Sequence, residues 1–473
     1  MVGPNYKRPP APTPTAFREQ PPASFKEAEA AGWKQSQPGD AYSKGRWWEV
    51  YGDQALNALE EQVSVSNQNV LQAEAQFREA KAAVSVARAA LFPTVSVTPG
   101  VTSARVVASG SQTGVATSGI RTTFDLPFSA TWEPDLWGNI RRGVTASVAT
   151  AESMAANVGN ARLLYQSELA QDYFGMHGLD GEAALLMTTE ASYQEYLALT
   201  KNRFTAGIAS DLDVSQAETQ LYGVQSQLMD LGVQRAAYEH GIAILTGKAP
   251  AELEIPAAAL TTPPPAVPVG VPSELLERRP DIASQERLVA AANEQIGIAM
   301  AAFYPNLTLT GTAGFQSSSL LSWFTWPSRF WSVGPQLAET LFDAGRRRGV
   351  IAEERAAYDA TVAGYRQTVL TAMQQVEDNL AALRVLAGEA DKVQETVGAA
   401  TRALDVSTAQ YKAGTASYLT VITAQATLLN SQVTAVNLLT RRYTASVLLI
   451  QALGGGWTVA QLPTEQNIRA PQR

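Results

Sequence analysis

The run AALFPTVSV at Ala89 to Val97 returns as AAFYPNLTL at Ala301 to Leu309, and AGIASDLDVSQA at Ala206 to Ala217 returns as AGTASYLTVITA at Ala413 to Ala424. Between them, DLWGNIRRG around Asp135 is answered by LFDAGRRRG around Asp343. The offset is 212 at the first match and 207 at the second, and both halves run helix, strand pair, long helix, Ala-Gly turn, helix. This is one internal duplication, not a solenoid of short repeats. A Pro-rich stretch from Thr261 to Pro272 lies between the halves and reads as their linker. Eight prolines from Pro4 to Pro38 make the N-terminus an extended tether that holds neither a helix nor a central strand.

The segments after the repeated AA motifs alternate. Phe124, Leu126, Phe128, Ala130 and Trp132 interleave with Thr123, Asp125, Pro127, Ser129 and Thr131; Leu307, Leu309, Ala313 and Phe315 interleave with Thr308, Thr310, Thr312 and Gln316. Trp331, Val333 and Leu337 repeat the pattern against Ser332, Gly334 and Gln336, and Val95 with Val97 begins a weaker run broken by Pro99. A period of two with one apolar face predicts four strands of roughly ten residues, the length that crosses a bilayer when tilted. Elsewhere the steps are three and four. Val214, Ala217, Leu221, Val224, Leu228, Leu231, Tyr238, Ile242 and Leu245 form one such seam, and Val362, Tyr365, Val369, Met373, Val376, Leu380 and Leu383 another. No proline occurs from 135 to 249 or from 336 to 461. Coiled-coil helices of about 65 to 70 residues, about 100 Å long, are therefore predicted.

A helix of that length has no place in a compact domain, and 473 residues are too many for one ordinary core. The net charge of −8 is spread without acidic or basic blocks, so there is no Lys/Arg stripe for a nucleic-acid partner. The absence of cysteine excludes a disulfide framework. His177 and His240 sit in helical stretches without a second ligand at helical spacing, so no metal site is predicted. With no P-loop, nucleophile elbow or zinc motif, no catalytic residue and no cofactor is predicted, and the chain is not read as an enzyme. Arg346, Arg347 and Arg348 follow a strand and are assigned to a solvated tunnel wall or shoulder.

No run of eighteen apolar residues is present, so a membrane-embedded form has to be a closed β-barrel. Four strands cannot close one, since barrels need at least about eight, and an open edge in lipid leaves backbone groups unsatisfied. Three copies supply twelve strands around a water-filled lumen, which predicts a homotrimer. Trp323, Phe324, Trp326, Phe330 and Trp331 supply an interfacial girdle or loop. The competing reading is a soluble sheet with these aromatics as its buried core.

The chain resembles the outer-membrane factor (TolC) family, in its lipoprotein branch paired with resistance-nodulation-division pumps. The resemblance runs from VGPNYKRP at Val2 to Pro9 to ALGGGW at Ala452 to Trp457, through PSELLERRPDI at Pro272 to Ile282 and the AAFYPNLTL motif. It implies a mainly α, mixed α and β fold. Four transmembrane strands per chain join a trimeric 12-strand β-barrel, continued by a 12-helix periplasmic α-barrel. The function implied is a passive exit duct for drugs or other small toxic compounds. The implied partners are a second and third copy, a periplasmic adaptor protein, an inner-membrane pump and outer-membrane lipid. In that branch a lipidated cysteine precedes the VGP motif by one residue, so a cysteine is expected immediately before Met1 and is absent from this chain.

The same resemblance assigns the two Ala-Gly turns to docking on the adaptor, through Arg203, Phe204, Ala206, Gly207 and Ser210 in the first, and Tyr411, Lys412, Gly414 and Ser417 in the second. It places a periplasmic constriction at the second turn. There Leu419 forms an apolar ring and Thr423 occupies a position often acidic in relatives, so a charged ring has to come from Asp211 or Asp213. Read from the residues alone, each turn is a helical hairpin whose Gly207 or Gly414 takes the left-handed conformation.

The expected division is 1–50 tether and equatorial region, 51–92 periplasmic helices, 93–134 first strand pair and 135–248 long helices with the first tip. It continues with 249–275 linker, 276–304 periplasmic helix, 305–341 second strand pair, 342–454 long helices with the second tip and 455–473 tail. The alternatives left open are a protein-secretion duct of the same architecture and, in a different class, a periplasmic coiled-coil scaffold. Scattered methionines give no copper-relay signal, and the sequence does not name the exported compound.

Overall fold

The computed structural model describes residues 1–19, 45–106, 119–267 and 272–469. The tether beyond residue 19 and part of the linker lie outside the described residues. About 68% of the described residues are helical. Among the described residues the α-helices of five or more residues are α1 (Gln54–Ser66), α2 (Gln68–Ala89), α3 (Asn139–Thr205), α4 (Asp211–Leu245), α5 (Pro280–Ala301), α6 (Arg346–Lys412), α7 (Tyr418–Ala452) and the short α8 (Glu465–Arg469). The strands are β1 (Thr94–Val97), β2 (Gly100–Val106), β3 (Gly119–Trp132), β4 (Asn306–Ser317) and β5 (Arg329–Ala338).

The duplication persists residue for residue. Helices α2 and α5 both have 22 residues, α3 and α6 both have 67, and α4 and α7 both have 35. Matching start signals set these lengths. Helices α3 and α6 each follow a left-handed glycine, Gly138 at φ 89° and Gly345 at φ 90°. In each repeat an upstream carboxylate accepts first-turn amides: Asp135 from Ile140 and Arg141, and Asp343 from Arg347. At the predicted length of about 1.5 Å per residue, α3 and α6 are each about 100 Å long.

The predicted seams are where the helices pack. Val362, Tyr365, Val369, Met373, Val376, Leu380 and Leu383 are all buried, as are Ala217, Leu221, Val224, Leu231, Ile242 and Leu245. The largest core gathers Trp47, Trp48, Leu56, Val63, Leu169, Tyr173, Phe174, Leu449 and Ile450 with the α6 seam. A second, smaller one lies nearer the Ala-Gly turns, around Leu186, Tyr193, Leu197, Leu221, Tyr411, Tyr418 and Val421. The tail folds back rather than trailing, with Ile468 of α8 buried against Val84, Val144 and Val148.

The sheet runs antiparallel in the order β1, β3, β4, β5, with β2 also on β3. Strands β1 and β2 occupy one strand position, because the register carries across Pro99: Val97 faces Phe128 and Gly100 faces Asp125. Residues directly opposite in an antiparallel pair share a face. Val97, Phe128, Ala313 and Trp331 therefore lie in one row, and Val95, Ala130, Gly311 and Val333 in the next. Ser96, Ser129, Thr312 and Ser332 line up on the other side. Phe330 is on that polar side, opposite Gly314, and so departs from the aromatic group with which the sequence placed it.

Candidate functional site

None of the described strand side chains is buried, even though one face is apolar from the helix end of the sheet up to Val101, Phe124 and Phe315. Trp331 is 79% exposed, Val333 76%, Val95 70% and Leu337 67%. An aromatic-cored soluble sheet would hide these side chains; this sheet presents them. The helices leave it at one end only, where β1 and β4 begin and β3 and β5 finish. Its outer edges, β5 on one side and β1 with β2 on the other, are unpaired among the described residues. In lipid such edges have to find partners.

The N-terminal strap meets this same end. Val2 N donates to Trp137 O at 2.9 Å, and the guanidinium of Arg142, almost wholly buried, donates to Val2 O (2.6 Å), Pro4 O (3.2 Å) and Glu294 Oε2 (2.6 Å). Gly3, at φ 101°, crosses Gly297 so closely that a Cβ would lie 2.6 Å from its Cα. That contact explains the glycine of the VGP motif. Further along, Arg8 reaches Tyr365, and the amides of Arg18 and Glu19 donate to Glu377. The strap thus follows α5 and α6 away from the sheet.

At the opposite end lie the two turns. Gly207 (φ 74°) and Gly414 (φ 77°) both adopt the left-handed conformation. The turns differ in how the next helix is capped. Ser210 and Asp213 form a reciprocal capping box, with Ser210 N to Asp213 Oδ2 at 2.8 Å and Asp213 N to Ser210 Oγ at 3.2 Å. In the second repeat Thr420 replaces the aspartate, and Ser417 makes no side-chain cap bond. The Asp213 carboxylate is thus engaged at its own helix start, whereas Asp211 is exposed.

The structure brings the two turns together through Arg203. Its Nη1 donates to Tyr411 O at 3.1 Å while the guanidinium stacks over the Tyr411 ring, 4.5 Å from the centroid. Tyr411 and Tyr418 pack with centroids 5.3 Å apart. Burial, then neighbouring Tyr411, pushes the Tyr418 phenol up to about 12. Ala206, Phe204 and Lys412 are exposed beside them. Leu419 (58% exposed) and Thr423 line an open cavity of about 460 Å³ between α6 and α7, with Ala400, Ala403, Ser407 and Thr427. Thr423 Oγ1 donates to Leu419 O at 2.8 Å. Sequence reasoning missed Ile208 and Leu212, which with Phe204 are exposed at the first turn, at 67% and 65%; that exposure shows only once the turn is built.

The histidines stay outside any such site. His177 Nδ1 lies 3.0 Å from Asp180 Oδ2, and Asp180 also accepts from Arg235, whose Nη2 donates to Ile255 O. This buried network fastens the segment before the linker onto α3 and α4. No group of three metal-ligating side chains occurs among the described residues. Of the three arginines, Arg347 is tied to Asp343 and the Phe303 ring, while Arg346 and Arg348 are exposed.

Residues 59–248 and 271–455 match the family model described as outer membrane efflux protein, once for each repeat. The chain belongs to the outer membrane efflux protein family. The toluene efflux pump outer membrane protein TtgC of Pseudomonas putida is 30% identical over 473 residues, covering 99% of this chain and 96% of that protein. The pyoverdine export outer membrane protein OpmQ of Pseudomonas aeruginosa is 30% identical over 424 residues, 88% of this chain and 89% of that one. The crystal structure of the outer membrane protein VceC of Vibrio cholerae superposes with a TM-score of 0.80 at 27% identity, over 87% of this chain and 98% of that one.

Proposed function

We propose that this outer membrane efflux protein is the passive exit duct of a tripartite pump. Three copies join their open sheet edges into a twelve-strand barrel, and their long helices continue it as a twelve-helix tunnel through the periplasm. The observation that carries this reading is the unburied sheet with one mainly apolar face and two edges unpaired among the described residues. Such a sheet is satisfied by closure within lipid. The polar face, with Ser96, Ser129, Thr312 and Ser332 in one row, then lines a hydrated lumen.

The tips at Gly207 and Gly414 dock on a periplasmic adaptor that couples the duct to an inner-membrane resistance-nodulation-division transporter. The exposed Phe204, Ile208 and Leu212 support a docking role. Asp211 with Leu419 and Thr423 forms the narrow entrance, and Asp213 stabilises the turn that carries it. Met1 packs against Gly138 at the foot of the sheet, so a lipid on a preceding residue would reach the periplasmic leaflet. The cargo is small toxic organic compounds; the dissimilar cargoes in the names of TtgC and OpmQ support selection by the pump and not by the duct.

The test is drug accumulation in cells deleted of their own outer-membrane channels but supplied with this chain and its cognate pump and adaptor. Accumulation is expected to fall with the wild-type chain and to stay high with Ile208→Asp/Leu212→Asp, while that variant still reaches the outer membrane. Unchanged accumulation with the wild-type chain would contradict the duct reading.

A further inference from the structure

The hairpin loop between β4 and β5 is tightly built yet presents large apolar side chains outward. Ser317 Oγ and Ser322 Oγ lie 2.8 Å apart, Thr325 Oγ1 and Ser328 Oγ both donate to Ser322 O, and Trp323 Nε1 donates to Phe315 O. Around this scaffold Leu321 is 97% exposed, Trp326 77%, Phe324 63% and Leu320 62%. The loop is folded back on the apolar face of the sheet. Trp323 packs on Phe124 with centroids 5.6 Å apart, and Phe324 packs on Phe315 at 5.8 Å. Phe124 and Phe315 belong to the apolar rows. The loop therefore extends the lipid-facing belt at the end remote from the helices.

That end also carries cations on the same face. Arg329 stands opposite Phe315, and Arg105 opposite Ile120, both in line with the apolar rows. Arg329 stacks over Trp326 and donates from Nε to Trp326 O at 3.2 Å. Neither arginine has an ion-pair partner among the described residues, and residues 107–118 contain no acid. Asp125, the one carboxylate within the strands, lies on the polar face opposite Gln316. Apolar side chains ending in arginines match a lipid that is both acylated and phosphorylated.

We propose that this rim binds the phosphorylated, multiply acylated glycolipid of the outer leaflet. Arg329 and Arg105, six register rows apart with β3 and β4 between their strands, each hold a phosphate of such a lipid, and Leu320, Leu321, Phe324 and Trp326 lie against acyl chains. The proposal rests on the membrane-spanning reading of the sheet. The test uses the purified full chain in mild detergent, offered bisphosphorylated lipid A and, separately, its dephosphorylated form. Native mass spectrometry then counts the retained lipid and the protein copies in the same particle. Lipid A is expected to stay bound to the wild-type protein, with retention falling roughly ten-fold for the dephosphorylated form or for Arg105→Gln/Arg329→Gln, at unchanged copy number. Arg105→Lys/Arg329→Lys is expected to keep most of it. Equal retention of both lipid forms, or full retention by the glutamine variant, overturns the proposal and leaves the barrel standing. A wild-type chain that carries no detergent belt overturns the barrel reading and the proposal with it.

Discussion

At the residue scale, the most consequential contact is the ion pair between Arg142 and Glu294, with side chains 2% and 10% exposed. Breaking such a pair leaves an uncompensated buried charge. Arg142→Met is expected to lower stability by about 3–5 kcal/mol in detergent unfolding, and Glu294→Leu added to it to restore part of the loss. A loss below about 1 kcal/mol would show that the strap is not held this way. Asp172 gives a pH signature. Burial, reinforced by Glu168, raises its carboxyl from 3.8 to about 6. The folded chain then holds this proton more tightly than the unfolded chain. The contribution is fully present below the unfolded value and is lost as pH rises through about 6. Asp172→Asn should therefore gain melting temperature relative to wild type as pH is raised through that window. A constant difference across it would contradict the assignment.

At the scale of elements, register makes the sharpest prediction. Val333 and Ser332 are neighbours on the edge strand β5, yet face opposite ways. A lysine on the lipid side of a barrel costs about 2–4 kcal/mol at mid-membrane, whereas a lumen-side lysine is tolerated. Val333→Lys is expected to reduce the fraction of protein in the outer membrane fraction, and Ser332→Lys to leave it near wild type. Equal effects would mean that the two faces are not in different solvents. These strands were legible in the sequence because each is half apolar, and the long helices because proline is absent and the seams keep their step. The continuity of β1 into β2 was not legible: Pro99 interrupts the local pattern, and only pairing with β3 keeps the register. Nor was the contact of Arg203 with Tyr411, which joins residues 208 apart. The capping box at Ser210 was written in the sequence as S-x-x-D, yet the acid was read as a channel charge because local and lumenal uses share one residue type.

At the scale of the molecule, duplication gives equal pairs of helices, but among the described residues the two repeats supply four strand positions. Among the described residues the sheet therefore keeps most of its apolar face uncovered and both outer edges unpaired. On the proposed duct reading, association within a membrane would resolve both at once, and three copies would give a lumen that two would not. The most direct test is the protein mass of the detergent-extracted particle, measured by light scattering with the detergent contribution removed. Three chains of 50.5 kDa each in one particle are predicted. A chain that remains a stable monomer, soluble without detergent, would contradict the account and favour the coiled-coil scaffold.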